Sequence, residues 1–423
     1  MVVVVVSVMM SVWMLMSCGG HSDNTKQRNG VRVETFDSLV LDRLNISSED
    51  ALAYIDSLEQ SGLVAPSFIC YERGLVYNKM MQKATAELYF QKALEGDDLL
   101  NQSPVLFYQA IDRLSSSLAN RSDNVEALTV ATRGYDISRE DQTLEGRRWT
   151  AVFLHAMGYC QTQLGMRDEA ERNFSMAFMA LSQIVAADSC YDNLITYARV
   201  SYNILDAYTT SEQYEKAKEW LSSAEEAVER LVASPQCPER DRTLYVGGIA
   251  IHKALVLIKS GATASAAQSY ELARSVGYFD TSFGIMEQAS YLRKSAQWDE
   301  LASVMPRVDS LAKAWDVPLC LAYMTEYIVP QFNAYLKSGN REQAMQMAEL
   351  MAASIDSVSS YEMNHKMKEI AVIAARKDQN TVAAEQKAEE AYMWVKILSA
   401  VLIVLLLCIF GNVGHYVVKT KKH

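Results

Sequence analysis

The chain has 423 residues, half of them hydrophobic and 22% charged, with 7 Pro, 7 Cys, 6 His and a formal net charge of −11. Ala, Leu, Met, Glu and Lys abound and no alternating β pattern persists, so the expected class is all-α. Residues 1–18 carry no charge and Lys396, Lys419, Lys421 and Lys422 stand at the far end, which leaves −15 on residues 19–395 and argues against nucleic acid or anionic lipid as partner of the main body.

Residues 1–17, MVVVVVSVMMSVWMLMS, are apolar apart from three serines and run into Cys18. A short apolar stretch before a small-residue site reads as a signal peptide. Leu15-Met16-Ser17-Cys18 resembles a bacterial lipoprotein cleavage box, and the resemblance implies lipid attachment at the Cys18 thiol. No Lys or Arg precedes Cys18, so an uncleaved signal anchor is the alternative. Residues 18–35, polar and Gly-containing, read as a flexible tether.

Helical signals begin with Ser47-Ser48-Glu49-Asp50, an N-cap followed by acids in the first turn, and continue with Ala51, Ile55 and Leu58 at helical spacing. This reads as a partial capping unit. Within 73–93, Gly74, Tyr77, Ala86, Phe90 and Ala93 then stand at relative spacings of 0, 3, 12, 16 and 19. The small residue and the aromatic share a first helix; the A-x3-F-x2-A face forms a second. The cadence resembles the tetratricopeptide repeat (TPR), a helix–turn–helix unit that stacks on copies of itself.

Further copies follow. Gly158, Ala170, Phe174 and Ala177 keep the spacing, as do Tyr208, Ala217, Leu221 and Ala224, and Ala254, Leu257, Ala266, Tyr270 and Ala273. Tyr335, Gly339 and Ala344 make another copy, and eroded ones lie around Leu118, Ala127, Ala131 and Gly134 and around Ala289, Trp298 and Leu301. The first-helix small position recurs at 74, 115, 158, 205, 254, 289 and 332, an average step of 43 residues. That exceeds the roughly 34 of the standard unit and is similar to TPR-like arrays of bacterial regulators; HEAT-type repeats share the longer period but lack the A-x3-F-x2-A face. The expected body is a TPR-like α-solenoid of antiparallel helix pairs over 36–355.

In TPR arrays the inner groove is lined by first-helix positions three before the small residue and one, four and five after it. The resemblance places Tyr71, Leu75, Asn78 and Lys79 there in the first copy, and His155, Tyr159, Thr162 and Gln163 in the next. A third set is Tyr202, Asp206, Thr209 and Thr210. These residues depart from the Lys/Asn clamp that holds a peptide carboxylate in chaperone-binding members, so that activity does not transfer. Aromatics interleaved with amides suit either an extended peptide or glycan, or packing between repeats.

Catalytic signals are absent. His21, His155, His252, His365, His415 and His423 show no metal-ligand spacing, and no phosphate-cradling loop, G-x-S-x-G elbow or HExxH occurs. The reading is therefore a non-enzyme with no cofactor and no metal. Cys70, Cys160, Cys190, Cys237 and Cys320 are isolated and read as buried small hydrophobes, with a Cys190–Cys237 bridge as the alternative.

Residues 356–396 contain neither Pro nor Gly and read as a helical stalk, which a second copy could pair with as a homodimeric coiled coil. Ile397–Val418 is a 22-residue apolar run, about 33 Å as a helix and enough to span a membrane. Lys419, Lys421 and Lys422 mark residues 419–423 as a short cytoplasmic tail. The expected location is the bacterial inner membrane, single-pass, with the array in the periplasm. Two functions follow: an interaction scaffold for a protein or peptide, or the sensory half of a transmembrane regulator whose output domain is absent from this chain.

Overall fold

The computed structural model describes residues 33–80, 82–314 and 323–360. The chain divides into two units, Met1–Asn364 and His365–His423, and all described residues belong to the first. The apolar stretch 1–17, Cys18, the tether up to residue 32, the stalk beyond 360, the span 397–418 and the lysine tail lie outside the described residues. Among the described residues there is no strand, and no helix is long and apolar enough to cross a membrane.

The described chain is a succession of helical hairpins. The first pairs α1 (Val33–Ile46) with α2 (Ser48–Ser61), the second α3 (Pro66–Lys79) with α4 (Lys83–Ala93). After the short α5 (Asp98–Gln102), α6 (Pro104–Asn120) pairs with α7 (Asn124–Ser138), α8 (Leu144–Gln163) with α9 (Arg167–Ala187), and α10 (Tyr191–Thr210) with α11 (Tyr214–Val232). Then come α12 (Glu239–Lys259) with α13 (Thr263–Ser275), a 3₁₀ turn at Tyr278–Asp280, and α14 (Ser282–Lys294) with α15 (Trp298–Ala314). A π-helical turn at Met324–Ile328 leads into α16 (Val329–Lys337), followed by α17 over 341–360. The seven first-helix positions from 74 to 332 fall on α3, α6, α8, α10, α12, α14 and α16 in turn.

Local chemistry sets the helix starts. Ser47 Oγ accepts the Asp50 N–H at 3.0 Å, and Thr143 and Thr281 cap α8 and α14 through the N–H groups of Gly146 and Gly284. Pro66 and Pro104 occupy first-turn positions, where the missing N–H has no partner to lose. In six of the hairpins the turn between the two helices uses one left-handed residue. Gly165, Gly261 and Gly339 supply it in three hairpins, whereas Ser122, Glu212 and Ala296 supply it in others with φ of 68°, 58° and 58°.

In the α3–α4 and α8–α9 hairpins the second helix presses an aromatic ring onto a small residue of the first. A Cβ on Gly74 would stand 2.6 Å from Phe90 Cε1, and one on Gly158 2.7 Å from Phe174 Cδ1. No real side chain fits there. Phe174 also meets Tyr208 of the next hairpin edge-on, with ring centroids 5.5 Å apart, so one ring closes both the hairpin and the stack. Ala86, Ala93, Ala170, Ala177, Ala217, Ala224, Ala266 and Ala273 are buried around this contact.

Three details differ from the sequence reading. In α11 the buried aromatic is Trp220, which meets Phe178 edge-on, while neighbouring Leu221 is only partly buried. Of the described cysteines only Cys160 is buried; Cys190 is an exposed N-cap of α10, Cys70 and Cys237 are partly buried, and none forms a disulfide. Helix α17 begins at residue 341 and runs to 360 without a break at 356, because no Pro or Gly interrupts it.

Candidate functional site: a polar seam along the first helices

First helices pack not only on their own partners but on one another, α6 on α8, α8 on α10, α10 on α12 and α12 on α14. Apolar residues would suffice for such a seam. Instead it holds Glu72 of α3, Asp112 and Arg113 of α6, His155 of α8, Arg199, Asn203 and Asp206 of α10, His252 of α12 and Glu287 of α14, all buried. Burial of charged groups at this density demands local compensation.

The groove residues expected from sequence lie along this seam. Tyr71, His155, Tyr159, Tyr202 and Asp206 are buried, Asn78 and Gln163 are partly exposed, and Lys79 is exposed. Tyr71 donates its hydroxyl to Gln109 Oε1, and Lys79 Nζ donates to the Leu44 carbonyl. Lys79 therefore ties α3 to α1. They do not converge on one point: Tyr71 adjoins the first of three clusters, His155 and Tyr159 line the second, Tyr202 and Asp206 join the third, and Asn78, Lys79 and Gln163 belong to none of them.

The first cluster brings Asp37 of α1 against Glu72, with Arg113 nearby. Burial raises the Asp37 carboxyl to about 6 and pushes Glu72 well above the usual carboxylate range, and Arg113 offsets part of this. Neither Glu72 oxygen has a donor as the atoms stand. Two carboxylates cannot hydrogen-bond to each other, so the Asp37–Glu72 contact is satisfied only when one of them holds a proton.

The second cluster surrounds a cavity of about 20 Å³ between α6, α8 and α10, lined by Asp112, Ser115, His155, Tyr159, Arg199 and Asn203 among others. Such a volume holds roughly one water. Asp112 Oδ2, His155 Nε2 and Asn203 Oδ1 are buried here without hydrogen-bond partners. Burial, helped by the nearby Arg199 guanidinium, holds the His155 imidazole down at about 3, so it is neutral at ordinary pH. Burial raises the Asp112 carboxyl, and Arg199 and Arg113 pull it back.

The third cluster joins Asp206, His252 and Glu287. His252 Nε2 lies 3.5 Å from Asp206 Oδ1, 3.4 Å from Glu287 Oε1 and 3.3 Å from the Tyr202 hydroxyl, while Nδ1 lies 2.8 Å from Thr209 Oγ1. Tyr202 donates to Glu287 Oε1 at 2.7 Å and Tyr278 to Oε2 at 2.9 Å. All three cluster members are fully enclosed. Burial raises the Asp206 carboxyl to about 8, against the pull of His252. Burial opposes charge on His252, but the Glu287 and Asp206 carboxylates together outweigh it and raise the imidazole.

Sequence reasoning reached Tyr202 and Asp206 here but missed His252, Glu287, Asp112 and Arg199. The available signal was a charged or imidazole residue inside an otherwise apolar run: Asp112 in FYQAIDRL, Arg199 in YARVSY, His252 in GGIAIHKALVL.

No family model matches the sequence, and no curated protein does. Among solved structures the chain is similar to a Rap protein complexed with Competence and Sporulation Factor, with a TM-score of 0.49, 12% identity, and coverage of 78% of this chain and 86% of that one. It is also similar to the apo form of RapI, with a TM-score of 0.36, 14% identity, and coverage of 58% of this chain and 97% of that one.

Proposed function

We propose that this chain is a non-enzymatic, TPR-like interaction scaffold that holds a protein or peptide partner on the first-helix side of its hairpins. One observation carries the reading. Asp112 Oδ2, His155 Nε2 and Asn203 Oδ1 come from three successive first helices, are buried, lack partners and line a common cavity. Buried polar atoms in native proteins are nearly always satisfied, so these converging ones speak for a bound group, and the cavity admits a water or the tip of one polar group of a partner. A backbone amide N–H suits the Asp112 and Asn203 acceptors, and Arg199 suits a carbonyl or carboxylate. The Leu15–Cys18 box and the apolar run 397–418 support anchoring of this scaffold to the bacterial inner membrane, with the array on the outer face.

The test is a photo-crosslinking amino acid placed in the full-length protein in its native host. At the partly exposed Gln163 and Asn78 it should yield one shared adduct, identifiable by mass spectrometry. At Met179, exposed on α9, it should yield none. Equal labelling from Met179, or no adduct from either seam position, would contradict the proposal. Labelling of an introduced exposed cysteine by an impermeant reagent in intact spheroplasts tests the topology separately.

A further inference from the structure

The Asp206–His252–Glu287 cluster holds a balance of donors and acceptors that protein atoms alone do not complete. Thr209 Oγ1 donates its hydrogen to the carbonyl of Leu205 or Asp206, at 3.1 and 3.0 Å. Its lone pair is thereby left to accept from His252, 2.8 Å away, which puts the imidazole hydrogen on Nδ1. The Nε2 lone pair then faces three oxygens. The Tyr202 hydrogen is already committed to Glu287, at 2.7 Å, and the other two oxygens belong to carboxylates. Both Asp206 oxygens, fully buried, have no hydrogen-bond donor. A proton or a cation is missing from the space between them.

A proton on Nε2 is one candidate, but it serves a single acceptor, at a charge-assisted distance of about 2.7–2.9 Å. Here Nε2 stands nearly equidistant from both carboxylates, at 3.5 and 3.4 Å. Those separations are the edge of a coordination tetrahedron: zinc bonds of about 2.0–2.1 Å place neighbouring ligands roughly 3.3–3.4 Å apart. One oxygen from each acid and the imidazole nitrogen all lie within 4.8 Å of one another.

We infer that Asp206, His252 and Glu287 form a buried structural site for a divalent transition-metal ion of the imidazole–carboxylate class, with zinc the best fit. Two carboxylates and a neutral imidazole balance a +2 ion. The outer shell is already in place: Thr209 orients the imidazole, and Tyr202 and Tyr278 orient Glu287. Because the ligands come from α10, α12 and α14, the ion clasps three consecutive hairpins. This inference is independent of the proposed partner-binding role.

The test uses the full-length chain without a histidine tag. Metal content after purification should be one zinc per chain, and a chelator should lower the melting temperature while added zinc restores it. Asp206→Asn and Glu287→Gln, each keeping shape while removing a charge, should bind zinc at least tenfold more weakly with helical content retained. Thr209→Val, a positioning change, should weaken binding about 10–100-fold. If a ligand variant fails to fold, cobalt loading of the wild-type protein decides, through the visible bands of a tetrahedral ion. Wild-type protein that carries no zinc and whose melting temperature ignores added zinc would overturn the inference and leave a proton held within the cluster in place of the ion. Stoichiometric zinc retained in both acid variants would overturn it too, by placing the ion elsewhere.

Discussion

Where α4 and α9 close onto α3 and α8, the contact is Phe90 on Gly74 and Phe174 on Gly158, ringed by alanines. Where α6, α8 and α10 meet one another, the contact includes Asp112, His155, Arg199 and Asn203. Both surfaces are buried, yet their energetics oppose. The aromatic seam gains transfer free energy in proportion to the apolar area it hides. The polar seam pays desolvation first and recovers it only where partners are complete, which at Asp112, His155 and Asn203 they are not. Stability therefore resides in the aromatic seam, and the polar seam is free to serve recognition.

The largest effect that could break this comparison is at the aromatic seam. Phe174→Ala should cost about 3–5 kcal/mol, read as a shift in denaturation midpoint; a loss under about 1 kcal/mol would mean the seam does not hold the stack. Because repeats couple chiefly to their neighbours, hydrogen exchange in α8 to α10 should rise first. Gly158→Ala probes the same contact from the other side. Its added methyl meets a ring with no room to withdraw, at an expected cost of about 1–3 kcal/mol.

The polar seam has its own signature, a pH dependence. Asp37, at about 6, and Glu72 are both raised above their unfolded values. Their contribution to stability is thus complete below the ordinary carboxylate pKa near 4 and is lost as pH rises through about 6. Relative to Glu72→Gln, which keeps the shape without the charge, the wild-type protein should lose stability between pH 4 and pH 8. Parallel pH curves for the two proteins would show that this buried pair holds no proton.

The smallest effect lies outside both seams. Ala296 holds a left-handed turn at φ 58° that glycine fills in sister hairpins. Ala296→Gly should raise stability by roughly 0.5–1 kcal/mol, measurable as a small rise in melting temperature. A drop would show that the Ala296 turn holds no strain for glycine to relieve.

The same comparison explains what was legible beforehand. A small residue facing an aromatic sixteen positions on is a local, repeated constraint, so the hairpins around Gly74 and Gly158 could be read directly. Trp220 escaped because a neighbouring residue took the aromatic role one position away from the regular spacing. The polar seam is assembled from residues one whole hairpin apart: Asp206 and His252 are 46 positions apart and Glu287 another 35. No periodicity announces such a meeting, since each site uses different side chains. Single charged residues in apolar runs gave the only hint, and a hint of burial says nothing of the partner.

The most direct test of the division of labour is the melting midpoint of a triple variant, Asp112→Leu with His155→Leu and Arg199→Met. Apolar replacement of the charged members of a buried polar cluster is commonly neutral or stabilising. The account predicts a midpoint equal to or above that of the wild-type protein, together with loss of the adduct formed from Gln163. A fall as large as that of Phe174→Ala would contradict it, because the polar seam would then hold the fold as firmly as the aromatic one.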